Sequence, residues 1–133
     1  MQALGTSVTK GLTIGTVCNT CDNSGAKIVK VIGVVGAQTT KRRLASAGVG
    51  DLVVVAVKKG DERMKHKVAY GVIVRQKKEY RRPDGLRISF EDNAIALLKD
   101  DKRSPAGTFL KGPIAREIQK RWPALSKITG NLV

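Results

Sequence analysis

Cys18 and Cys21, three residues apart, are the first residues whose types and spacing could do chemistry, since a CxxC pair can ligate a metal or cycle as a dithiol. A zinc site needs four donors, and no second Cys/His pair supplies the other two. Strand positions three apart point to opposite faces, so a disulfide would need a bend; two small buried hydrophobes are expected instead. His66, the single histidine, lies between Lys65 and Lys67 in a basic loop and reads as a contact residue, not a base. Glu91-Asp92 and Asp100-Asp101 are adjacent acids, and strand neighbours face apart, so the paired-carboxylate geometry of hydrolysis is not specified. Turn capping or Lys pairing suffices for them. Gly33-Val34-Val35-Gly36 lacks the spacing and the Lys-Ser/Thr ending of a phosphate-cradling loop. No catalytic residue, metal or cofactor is expected.

The excess lies in cations. Lys and Arg number 25 against 11 Asp and Glu, a formal net charge of +14 on 133 residues. A small domain bears such self-repulsion when a polyanion neutralises it. Nucleic acid is the first candidate. A membrane surface would require an apolar span, a signal segment or a basic amphipathic anchor, and the N-terminal MQALGTSVTKG offers none, so no membrane is expected and the cytoplasm is the default compartment. Residues 41–87 hold 14 Lys and Arg and 5 Asp and Glu, which is +9 of the +14. A solubilising surface is the bland alternative, but solubility is better served by mixed signs. With two Phe, two Tyr and one Trp, and only Tyr80 inside the basic run, a base-stacking platform has little to work with. Backbone and shape recognition of folded RNA is favoured.

These cations must be positioned by strands. LTIGTVCNTC (12–21) and AKIVKVIGVV (26–35) are β-branched runs separated by the turn formers Asp22-Asn23-Ser24-Gly25, which predicts a hairpin. Residues 36–50 are polar and Gly-rich, so Lys41-Arg42-Arg43 should sit on a loop before the strand DLVVVAVKK (51–59). VAYGVIVRQKK (68–78) and LRISFEDNAIALL (86–98) flank the turn signal Pro83-Asp84-Gly85, predicting a long projecting ribbon with a charged tip. Leu86, Ile88 and Phe90 alternate with polar residues, whereas Ala94–Leu98 is apolar throughout and should enter the interior. Five such strands favour a mainly β chain, a small closed barrel without exposed edges. Ile114, Ile118 and Trp122, with Pro113 at the first helical position, predict one amphipathic helix ended by Pro123, with Glu117 and Arg121 paired on its outer side. A single unit of 133 residues is expected.

In order along the chain, Asp22-Asn23-Ser24-Gly25-Ala26-Lys27, Ala47-Gly48-Val49-Gly50-Asp51, Val57-Lys58-Lys59-Gly60, VRQKKEYRRPDG (74–85), Phe90-Glu91-Asp92-Asn93-Ala94 and Gly112-Pro113-Ile114-Ala115-Arg116-Glu117 resemble the universal large-subunit ribosomal protein fourteen family. Arg121-Trp122-Pro123 is similar to the archaeal and eukaryotic type. Thr20-Cys21-Asp22-Asn23 departs from the family's common Cys-Ala-Asp-Asn, with a second cysteine at Cys18. Ile95-Ala96 likewise departs from the usual small-then-branched order, which implies local repacking of the core. The resemblance implies a small closed five-stranded β-barrel with a projecting β-ribbon and short C-terminal α-helices. It also implies a structural, non-enzymatic part in the large subunit, bound to large-subunit rRNA near the sarcin-ricin loop. Implied neighbours are ribosomal protein three, small-subunit rRNA across the interface, and the anti-association initiation factor six near the C-terminal segment. The cations expected to meet rRNA phosphates are Lys41, Arg42, Arg43, Lys58, Lys59, Arg63, Lys65, Lys67, Arg75, Lys77, Lys78, Arg81, Arg82 and Arg87, with Arg116 and Lys120 added from the helix. Two rivals stand beside this reading: a free-standing single-strand binder of the oligonucleotide-binding barrel type, and a thiol oxidoreductase using Cys18 and Cys21.

Overall fold

A computed structural model describes residues 8–99 and 103–133, so the acid pair Asp100-Asp101 lies outside the described residues. Among the described residues nine strands precede two short helices: β1 Leu12–Thr13, β2 Val17–Thr20, β3 Ala26–Val34, β4 Ser46–Ala47, β5 Leu52–Gly60, β6 Val68–Arg75, β7 Tyr80–Arg81, β8 Arg87–Ile88, β9 Ala94–Leu98, α1 Ile118–Arg121 and α2 Pro123–Lys127. β2, β3, β5, β6 and β9 close into a barrel, every pair antiparallel except β2 with β9. Closure leaves no long unpaired edge for a second chain to extend.

Period-two alternation decides which side chains fill it. Along β5, Val53, Val55 and Val57 are fully buried, while Val54 and Ala56 between them are half-buried on the outside. Each such buried side chain contributes about 1.5–3 kcal/mol through removal from water. β9 is buried at all five positions because both of its faces are covered. Beyond Ile95, where pairing with β2 stops, the later chain pairs with the β9 edge, Ala106 N–H donating to the Leu97 carbonyl. The expected hairpin forms as β2 and β3, its turn closed by Gly25 at φ +101. Asp22 anchors that turn, accepting from Ser24 Oγ (2.8 Å) and from the Leu97 N–H (2.9 Å).

Two expectations need correction. The long ribbon is interrupted: the β6–β9 ladder ends at Arg75↔Ala94, and residues 76–93 leave it to form the two-residue pair β7–β8. Gln76 is the physical reason. It is fully buried, its side chain accepting from the Val49 N–H and donating to the Thr9 and Lys78 carbonyls, which draws the strand off the barrel register. The single helix is likewise two helices. Ile114 is extended, bridged to Leu132, and Pro123 opens α2 instead of ending a helix, since a missing N–H costs nothing at a first turn. Ile114, Ile118 and Trp122 all reach the core as expected, through an extended segment and two helical turns and not along one helical stripe.

Candidate nucleic-acid interface

The barrel connectivity sends the cations to its two ends. The β2–β3 and β5–β6 reversals share one end, and the longer β3–β5 and β6–β9 connections leave the other. At the first end the β5–β6 hairpin carries Lys58, Lys59, Arg63, Lys65 and Lys67, all exposed, with His66 among them at φ 64. Lys27 joins this end beside Gly60, the register partner of Ala26. At the second end Lys41, Arg42 and Arg43 are exposed on the 35–45 loop. Lys41 and Arg42 both hold positive φ, 56 and 62, a conformation costing an L-residue roughly 1–2 kcal/mol. The β7–β8 excursion adds Lys77, Lys78, Arg81 and Arg87 there. The helices pack over the same end, where Trp122 Nε1 donates to the Gly50 carbonyl at 2.8 Å, so exposed Arg116 and Lys120 belong to it as well.

Arg75 and Arg82 are different, because the fold consumes their charge. Arg75 holds Asp92 with two nitrogens (2.9 and 3.2 Å) and donates to the Lys111 and Pro113 carbonyls, its side chain only 11% exposed. Arg82 holds Glu117 at 2.7 and 3.2 Å and is 9% exposed. Tyr80 O–H donates to the same carboxylate at 2.9 Å. The expected Glu117–Arg121 pair is therefore replaced. Glu117 turns to the β7–β8 excursion, and Arg121 to Asp51 at 3.0 Å.

Asp51 is a hub that sequence spacing did not expose. It accepts from Lys10 Nζ, from the Gly48 N–H at 2.8 Å and from Arg121. Burial pushes its carboxyl up, but those donors outweigh burial and hold it below the ordinary carboxylate range. Asp92 follows the same pattern, burial being overcome by the hydrogen bond and charge of Arg75. Asp51, Glu79, Asp92 and Glu117 are thus engaged in ion pairs while most of the described cations stand free in solvent. Only a patterned reading of acids across distant segments, 22 with 97 or 51 with 121, could have shown this in advance.

The geometry also weighs the two rivals. Tyr80 is 1% exposed with its hydroxyl engaged, so it cannot serve as an open stacking platform. Burial pushes both cysteine thiols up to about 12, which leaves almost no thiolate at neutral pH. Among the described residues no group of three or more His, Cys, Asp or Glu is placed to hold a metal, and no helix is long and apolar enough to cross a membrane.

Residues 11–133 match the family model described as ribosomal protein L14p/L23e. The full chain aligns with the full length of the large ribosomal subunit proteins uL14 of Nanoarchaeum equitans at 51% identity, Haloarcula marismortui at 47% and Methanospirillum hungatei at 44%.

Proposed function

The chain belongs to the ribosomal protein L14p/L23e family, and from that premise we propose that its exposed cations clamp large-subunit rRNA by its phosphates at both ends of the barrel. The protein is a structural, non-enzymatic constituent of the large ribosomal subunit, placed in the cytoplasmic ribosome among rRNA and other ribosomal proteins. All 133 residues act in this reading as one rRNA-binding unit.

The observation that carries the clamp is the sorting of charge. Asp51, Asp92 and Glu117 are matched by Arg121, Arg75 and Arg82 in the half-buried pairs, and Glu79 meets Arg87 at 3.2 Å in an exposed pair, leaving the hairpin tip, the 41–43 loop and the Lys77, Lys78 and Arg81 part of the β7–β8 excursion positive. Long side chains on loops reach separate phosphates without disturbing the barrel. Contacting residues are then Lys41, Arg42, Arg43, Lys58, Lys59, Arg63, Lys65, Lys67, Lys77, Lys78, Arg81, Arg87, Arg116 and Lys120. Arg75 and Arg82 contribute by holding the strands that carry their neighbours. The resemblance further supports a site near the sarcin-ricin loop at the subunit interface, beside ribosomal protein three and small-subunit rRNA. A surface near the C-terminal segment, where Lys127 is exposed, is the one for initiation factor six.

Sedimentation through sucrose tests the reading. The protein runs with the large subunit at physiological salt and leaves it only at high salt, because contact with about 6–10 phosphates makes affinity fall roughly 10³–10⁵-fold between 50 and 200 mM. Recovery entirely at the top of a low-salt gradient would overturn it.

A further inference from the structure

Between β2, the exit of β6 and the Lys111–Pro113 segment lies an open cleft of about 550 Å³. Its wall is fixed by the backbone: Phe90 N–H donates to the Gln76 carbonyl at 3.1 Å, and Lys77 N–H to Asn93 Oδ1 at 2.8 Å. The floor is neutral, because the Arg75–Asp92 pair and the carbonyls of Lys111 and Pro113 satisfy one another. Three charged side chains on the rim, Lys77, Glu91 and Lys111, are exposed and find no partner among the described residues. Phe90 is half-buried and gives the cleft an aromatic wall.

These groups suit a nucleotide better than a bare phosphate run. A phosphate backbone has no use for an aromatic face and is repelled by a carboxylate, whereas a base stacks on the one and donates N–H groups to the other. Two ammonium groups beside them fit the phosphates flanking that base. We infer that this cleft receives a single unpaired RNA nucleotide whose base presents N–H donors, guanosine above all, stacked on Phe90 with Glu91 at its edge and Lys77 and Lys111 at its phosphates. The assignment rests on the rRNA-binding reading and adds to it one site of base readout in an interface otherwise built on backbone contacts.

The full-length chain is titrated with a short RNA hairpin carrying one unpaired guanosine, with the same hairpin lacking it, and with free guanosine monophosphate. The bulged hairpin binds roughly 10-fold tighter than the paired one, as expected when one base gains a stacking contact. Phe90→Leu and Glu91→Gln each abolish that preference while leaving affinity for the paired hairpin within about twofold, which also reports that the variants fold. Lys77→Gln weakens both hairpins. Equal binding of the two hairpins by the native chain, or a preference that survives both Phe90→Leu and Glu91→Gln, would sink the inference. So would free guanosine monophosphate displacing the bulged hairpin at equal concentration, since the occupant would then be a mononucleotide. Sedimentation with the large subunit is unaffected by either variant under the clamp reading, so the two proposals fail separately.

Discussion

At the scale of single residues, chemical type alone does not say which arginines face solvent and which the fold engages. Arg81 and Arg82 are neighbours, yet Arg81 is exposed while Arg82 lies over the Tyr80 ring, 5.8 Å from its centroid, and grips Glu117. Removing one partner of a half-buried pair strands the other charge, so Arg82→Met should destabilise the fold by about 3 kcal/mol, whereas Arg81→Gln should stay within about 0.5 kcal/mol. Urea denaturation measures both; equal midpoints for Arg82→Met and the native chain would show that the anchor carries no stability. The cysteines make a second residue-scale prediction. With both thiols pushed to about 12 by burial, iodoacetamide at pH 8 should leave Cys18 and Cys21 unmodified in the folded chain and alkylate both in urea. Rapid labelling of the native protein would revive the thiol reading.

At the scale of elements, the barrel tolerates little change where strands approach closely. A methyl group built on Gly71 of β6 would stand 2.5 Å from Ile95 Cγ2 and 3.3 Å from the Ala96 carbonyl of β9. Gly71→Ala should therefore cost about 1–3 kcal/mol, and adding Ile95→Leu, which removes the methyl at Cβ, should recover part of it. Thermal melts of the native chain and the two variants decide this, an unchanged melting temperature for Gly71→Ala being the contrary result. The barrel strands were legible in sequence because their apolar runs and turn residues are local signals: Asp22–Gly25 closes β2 onto β3, and Ala94–Leu98 enters the core as its composition requires. The short C-terminal helices implied by the family resemblance are present, while the unbroken ribbon and the single helix expected from spacing differ from the structure because their determinants are not local. Nothing near Gln76 announces that its amide will bind Val49 and Thr9, and the four-residue spacing of Ile114, Ile118 and Trp122 fits a helix until Ile114 pairs with Leu132. For the interface, exposure of the basic loops followed from charge density, while the internal engagement of Arg75 and Arg82 depended on acids 17 and 35 residues away.

At the scale of the whole molecule, the same sorting of charge governs stability and binding in opposite directions of the medium. Asp51 and Asp92 have carboxyls held low in the fold, so near pH 4 the unfolded chain binds more protons than the folded one. The stability they confer is complete above the unfolded value and is lost as pH falls through the lower folded value. Asp22, raised by burial, works against this loss, since its folded carboxyl keeps a proton longer. The Lys10, Arg121 and Arg75 pairs of Asp51 and Asp92 predict acid destabilisation below about pH 4, with a shallower slope in Asp51→Asn; a chain equally stable at pH 3 and pH 6 would contradict it. Binding is instead governed by salt. Each exposed lysine that neutralises a phosphate releases about one counterion, so Lys65→Gln and Lys67→Gln should each reduce the slope of log K against log salt by roughly 1, and together by roughly 2. Arg82→Met, by contrast, should leave that slope unchanged at temperatures where the variant remains folded, because its charge is already matched by Glu117. Measuring the slopes of all four variants on large-subunit rRNA separates cations that meet RNA from cations that hold the barrel's appendages, and a slope lowered by Arg82→Met alone would reverse that division.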